Sequence, residues 1–167
     1  TVHVKWDENT AILSGDAMLT MAFGLVSQVN TGKLRAVLDL FTKTAIEIDE
    51  GQQLDIEFET RDDVKIEEYI EMIRLKTSVL LGCALKMGAI IGGASEKDAE
   101  ILYDFGVNIG LAFQLQDDWL DCWGDPKTFG KRIGGDILCN KKTYLRITAE
   151  KAAPIPETGS MSEQEKI

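Results

Sequence analysis

Three prolines in 167 residues break the chain so rarely that long uninterrupted helices are expected. Cysteine is as scarce. Cys83, Cys122 and Cys139 are odd in number and lack zinc spacing, which argues against a disulfide framework and fits a reducing, cytoplasmic setting. No secretory or transit signal is legible. Basic residues are outnumbered, 18 Lys and Arg against 28 Asp and Glu, for a formal charge of −10. That balance argues against general affinity for nucleic acid or for an anionic membrane, and leaves room only for a local basic patch that binds phosphate. The most apolar run, residues 78–94, carries Lys86 in its interior. A bilayer span needs about 20 predominantly apolar residues, so no stable membrane span is expected and the run reads as a buried helix. Strand patterning and internal repeats are absent. What is present, 44% hydrophobic and 28% charged residues in 18.5 kDa, suits one globular domain.

Apolar residues at helical spacing mark five segments. The first covers residues 11–29, with Ile12, Leu13, Met18, Leu19, Phe23 and Val26 recurring on one stripe. The second covers 34–59. The third runs from 66 to 91 and stops at Gly92-Gly93. Ser95, with Asp98 three residues on, resembles a capping box for the fourth, which runs to about Trp123. Residues 124–140, with four glycines and Pro126, read as one irregular segment. A last helix starts near Lys141, and the polar tail 154–167 reads as disordered. The fold class is all-α.

Chemistry concentrates in Phe113-Gln114-Leu115-Gln116-Asp117-Asp118-Trp119-Leu120-Asp121. On a helix Gln114, Asp117, Asp118 and Asp121 share one face. Like charges so spaced repel by a few tenths of a kcal/mol per pair, and they sit late in the helix, where the macrodipole favours cations. A divalent metal would reverse both terms, and hard oxygen ligands suit Mg²⁺. The alternative is a plain solvated acidic face. An EF-hand loop is excluded, because it needs acids at alternate positions and a distal glutamate. The glycine-rich loop that follows brings Lys131, Arg132, Lys141 and Lys142 beside the acids, and a metal–diphosphate complex requires such an arrangement. Lys76-Thr77 lies in an apolar stretch where an ammonium needs partners. Gln52, Asp55 and Glu59 share a face of the second helix.

Phe113-Gln114-x-x-Asp117-Asp118-x-x-Asp121, Gly124-Asp125, Gly130-Lys131, Gly134-Gly135-Asp136-Ile137 and Asn140-Lys141-Lys142-Thr143 closely resemble the second aspartate-rich region of trans-isoprenyl diphosphate synthases, the polyprenyl synthetases. Ile12-Leu13-Ser14-Gly15-Asp16, Gly51-Gln52-x-Leu54-Asp55 and Lys76-Thr77 extend the match. The resemblance implies the isoprenoid synthase fold, a bundle of long antiparallel helices around a hydrophobic cavity, as a homodimer. It implies 1′–4 head-to-tail condensation of isopentenyl diphosphate with an allylic diphosphate (dimethylallyl, geranyl or farnesyl), with three Mg²⁺ per complete site. By the same resemblance Asp117, Asp118 and Asp121 would serve the metal, and Lys76, Lys131 and Lys141 the allylic diphosphate. Thr77 and Gln114 would flank the carbocation, Gln52 and Asp55 would line the wall near the allylic carbon, and Phe113 would pack over the isopentenyl site.

One departure accompanies the match. Family members carry a first Asp-Asp-x-x-Asp motif and paired arginines upstream of Thr-Val-His, and Thr1-Val2-His3 opens this sequence. Asp62-Asp63 does not substitute, since Val64, Lys65 and Ile66 follow it. The expectation is a bundle incomplete at its N-terminal side. Residues 1–153 would correspond to the C-terminal portion of the family's domain, and 154–167 to a discontinuous tail. Such a half-bundle would expose apolar faces. A non-catalytic partner subunit of a heteromeric synthase is the alternative. Terpene cyclisation ranks third, because the second metal motif of cyclases, rich in Asn, Ser or Thr and Glu, is not seen.

Overall fold

The computed structural model describes residues 2–130 and 133–153, with Phe129 as backbone only. Lys131 and the tail 154–167 lie outside the described residues. Helices account for every regular element among those described. They are α1 (Val2–Lys5), α2 (Glu8–Val26), α3 (Thr31–Phe58), α4 (Ile66–Ile73), a π-helical turn (Arg74–Ser78), α5 (Val79–Gly92), α6 (Glu96–Trp123), α7 (Pro126–Phe129), α8 (Gly135–Leu138) and α9 (Tyr144–Ala152).

Side-chain caps set the helix starts. Asp7 accepts from Thr10 N at 2.8 Å and opens α2 earlier than residue 11. Asn30 accepts from Gly32 N at 3.0 Å and opens α3. Ser95 accepts from Asp98 N at 3.2 Å, as expected for α6. Thr143 accepts from Arg146 N at 3.3 Å, so α9 begins at Tyr144 rather than at Lys141. The segment 124–140 is less irregular than expected, since it holds α7 and α8.

The helices pack antiparallel, with α4, the π turn and α5 forming a central rod between α3 and α6. Lys33 Nζ reaches Ile91 O at 2.8 Å, whereas Gly51 lies against Leu75 and Lys76, so α3 and the rod run opposite ways. Gly106 faces Gly82 and Gly110 faces Ser78, so α5 and α6 do too. A β-carbon on Gly110 would come to 2.5 Å from Ser78 Cα, and backbone cannot give way as a flexible side chain can. Gly110→Ala is therefore expected to destabilise the fold by about 2 kcal/mol, read as a lower urea midpoint with an unchanged m-value.

Phe58, Val64, Tyr69, Met72, Ile73 and Ile147 form the core that joins α3, α4 and α9, with Leu111 and Leu115 of α6 packed on it. The expected exposed apolar faces are present. Of α2 only Val26 is buried, and Met18 and Met21 stand about 70% exposed. Phe105, Ile109, Phe113, Trp119 and Trp123 of α6 are also exposed. By length and composition alone, the stretches Glu8–Val26 and Ile66–Gly92 could each cross a membrane. Within this fold the second is the central rod.

Candidate active site

The site begins at the π turn. The expected third helix is not one regular helix: Arg74–Ser78 widens it at Lys76-Thr77. Wide turns of this kind recur at functional positions because they shift side chains off the regular helical phase. Gly51 makes the placement possible, since a β-carbon there would stand 2.3 Å from Lys76 N. With no such carbon, α3 abuts the turn and Asp55, one helical turn beyond, meets Lys76.

Asp55 joins two of the expected diphosphate lysines. Its Oδ2 accepts from Lys76 Nζ and from Lys141 Nζ, both at 2.7 Å. Lys141 also pairs with Glu59 Oε1 at 2.7 Å. The residue read as part of the wall near the allylic carbon is thus the counter-ion that holds two cations side by side. Burial raises the Asp55 carboxyl, but Lys141 and then Lys76 outweigh it and hold it below its ordinary value of 3.8. A carboxyl depressed on folding stabilises the fold fully above its unfolded value, and that stabilisation is lost as pH falls through the lower folded value. In urea titrations, Asp55→Asn is expected to cost about 2 kcal/mol at neutral pH. The gap to the wild type should narrow only below 3.8.

The acidic trio lies on the last turns of α6. Asp118 and Asp121 are buried, and Asp117 is half-buried. Asp121 Oδ2 accepts from Asp136 N at 3.0 Å, and Gly134 N donates to Asp121 O at 2.7 Å, which folds the glycine-rich loop back under the trio. Asp118, expected as a metal ligand, has both oxygens engaged: the Tyr69 hydroxyl donates to Oδ2, and Gln114 Nε2 donates to Oδ1 at 3.0 Å. Burial pushes the Asp118 carboxyl up, and its neighbours Asp117 and Asp121 add to the rise against those two hydrogen bonds. Thr77 Oγ1 donates to Gln114 Oε1 at 3.2 Å, so the two residues expected to flank a carbocation do meet.

A cavity of about 60 Å³ lies among these groups. Lys76, Lys141, Asp55, Gln114, Asp118 and Asp136 give it polar walls, and Phe58, Met72 and Ile73 apolar ones. Gln52 and Phe113 do not line it. Both are exposed, Phe113 on the outer face of α6. Lys142, buried and also lining the cavity, pairs with Asp62 at 3.4 Å. Asn140 fastens the loop: its Nδ2 donates to Glu59 O at 2.7 Å and its Oδ1 accepts from Arg146 Nη1 at 2.6 Å.

Two residues of the site were not among the sequence candidates. Tyr69 carries no local signal, because it falls on the apolar stripe of α4, where an aromatic reads as core. Asp136 stands in the quoted Gly-Gly-Asp-Ile motif and was legible there. Its carboxyl is pushed up to about 6 by burial and by Asp121, Asp118 and Asp117, against Lys141. A cation beside these carboxylates would offset that crowding. Among the described residues, no three Asp, Glu, His or Cys close on one point as a complete metal cage. The donor set nevertheless fits Mg²⁺, which binds through one or two carboxylates and completes its shell with water and substrate phosphate.

Fold and site together define an all-α protein in which a carboxylate face is set against lysines that can take an anion. The polyprenyl synthetase family model matches residues 1–163, and the chain belongs to that family. It is 45% identical over 150 residues to the geranylgeranyl diphosphate synthase of Methanosarcina mazei, covering 89% of this chain and 46% of the relative. A solved geranylgeranyl pyrophosphate synthetase from Pyrococcus horikoshii superposes with a TM-score of 0.85 at 39% identity, covering 99% of this chain and 49% of that one. A Helicobacter pylori geranyltransferase, solved with magnesium and isoprenyl diphosphate, superposes with a TM-score of 0.76 at 28% identity, covering 91% and 52%. The chain spans about half the length of the curated relatives it matches.

Proposed function

We propose that this chain supplies the diphosphate-departure side of a Mg²⁺-dependent trans-prenyltransferase that joins isopentenyl diphosphate to an allylic diphosphate. The observation that carries the reading is the pair Lys76 and Lys141 held on one Asp55 oxygen beside the acidic end of α6. Lysine ammoniums are point charges suited to phosphate oxygens, and Asp55 aligns two of them at the distance of a hydrogen bond. Asp117 and Asp121 would hold Mg²⁺, whose bound charge would help to neutralise the departing diphosphate. Lys76 and Lys141 would bind the same group, and stabilising the developing anion is the main electrostatic task of such a step. The oxygens of Thr77 and Gln114 would face the positive charge left on the allylic carbon. Phe58, Met72 and Ile73 would keep water from that cation. The setting proposed is cytoplasmic, with a second copy of the chain as partner.

The test is turnover of radiolabelled isopentenyl diphosphate with geranyl diphosphate by the full-length protein. Turnover that requires Mg²⁺ and stops with EDTA supports the reading. A protein that binds both diphosphates yet turns neither over would instead fit a non-catalytic partner subunit.

A further inference from the structure

Asp118 occupies the middle of the acidic trio, but the protein already uses both of its oxygens. Tyr69 donates to one and Gln114 to the other. Tyr69 is 2% exposed and Asp118 4%, so little water is available to replace a lost donor. Phe58, Met72 and Ile73 surround the tyrosine ring in the core, and only its hydroxyl has a polar task. The bond also crosses between elements, joining α4 to α6 over 49 residues of chain.

The same carboxylate orients Gln114. A carboxamide can present either its oxygen or its nitrogen, and the neighbours decide which. A carboxylate only accepts hydrogen bonds, so the Gln114 nitrogen must face Asp118. Its oxygen is then turned the other way, where it accepts from Thr77 at 3.2 Å on the π turn beside Lys76. The order is fixed from one end: Tyr69 sets Asp118, Asp118 sets the glutamine, and the glutamine oxygen meets the threonine.

Resting on the prenyl-transfer reading of this site, we propose that Tyr69 is a positioning residue. It holds Asp118 out of metal coordination and, through Asp118, fixes the Gln114 carboxamide oxygen toward Thr77. Asp117 and Asp121 are proposed as the ligand carboxylates, Asp121 through Oδ1 while its Oδ2 accepts from Asp136 N at 3.0 Å. Two carboxylates, with water and phosphate oxygens, are a sufficient protein share for Mg²⁺. Asp118 acts as a connector between the metal face and the π turn.

The experiment uses the full-length protein with Mn²⁺ as the metal and inorganic pyrophosphate as the anion, and follows free Mn²⁺ by electron paramagnetic resonance. Asp118→Asn and Tyr69→Phe are expected to keep Mn²⁺ affinity within about twofold of the wild type, whereas Asp121→Ala weakens it by about tenfold or more. In turnover, Tyr69→Phe is expected to lower kcat by about tenfold or more with both KM values unchanged within about twofold, the pattern of a lost positioning contact. An Asp118→Asn protein that loses as much Mn²⁺ affinity as Asp121→Ala would overturn the proposal, as would a Tyr69→Phe protein with wild-type kcat. Melting curves separate misfolding from mispositioning. Should Tyr69→Phe fail to fold, the near-isosteric Asp118→Asn still decides the metal arm. Absence of turnover in the wild type would overturn the prenyl-transfer reading, while the Mn²⁺ comparison would still judge Asp118.

Discussion

Asp117→Ala is expected to lower Mg²⁺-dependent turnover of isopentenyl diphosphate by about 10³-fold or more, roughly 4 kcal/mol of lost transition-state stabilisation at 1.36 kcal/mol per decade. Asp117 is the half-buried member of the trio, whereas Asp118 is sealed and doubly hydrogen-bonded. Asp117 is therefore nearer to solvent than Asp118. Removing it also relieves repulsion, since Asp117 is among the charges that raise both Asp118 and Asp136. A loss of turnover without a fall in stability would assign the effect to the site rather than to unfolding. Melting temperature measured beside turnover checks both halves. Full activity in Asp117→Ala would sink the assignment of the acidic face to the metal.

Lys76→Ala is expected to cost about 10²- to 10³-fold in kcat, the range for losing one donor to a developing anion. The structural cost should be small. Asp55 keeps Lys141 at 2.7 Å, so no buried carboxylate is left unpaired. Lys76→Arg is not expected to restore activity. The guanidinium is a planar fork that reaches further than an ammonium, and the π turn is held against α3 at Gly51, leaving the backbone no freedom to withdraw. Turnover of both variants at saturating substrate, beside urea midpoints, is the measurement. Rescue by arginine would mean that position 76 needs only a positive charge.

The sequence made the architecture legible because its helices are long, apolar on one stripe and rarely broken. Ser95 and Gly92-Gly93 marked ends that the structure keeps. The acidic trio, Lys76 and Lys141 were legible because each sits in a motif of unusual composition. The ion pair at Asp55 was not, since it joins residues 21 and 86 positions apart, and no local pattern reports on such a contact. Tyr69 was invisible for a related reason: its ring obeys the core pattern, and only its hydroxyl departs from it. Gln52 and Phe113 were carried by motif position alone, and their exposure follows from helical phase, which places them off the cavity side of α3 and α6. The π turn escaped because a widened turn leaves the composition unchanged.

That turn makes the central rod intolerant of changes in length. In a regular helix each residue advances the direction of side chains by about 100°, and the wide turn between Arg74 and Ser78 subtracts from that advance. Everything before it, including Tyr69 and Ile73, is phased to the α3–α9 core, and everything after it, including Gly82, is phased to the seam with α6. Deleting one residue within 74–78 would restore regular winding and leave the hydrophobic composition almost untouched. Because the wide turn absorbs about one residue's advance, the flanking halves would keep their phase, and the loss would fall on the turn itself, returning Lys76 and Thr77 to the regular helical phase and away from Asp55 and Gln114. Among natural variants of this sequence, insertions and deletions should accordingly spare residues 66–92 and collect in the connections at 59–65 and 93–95.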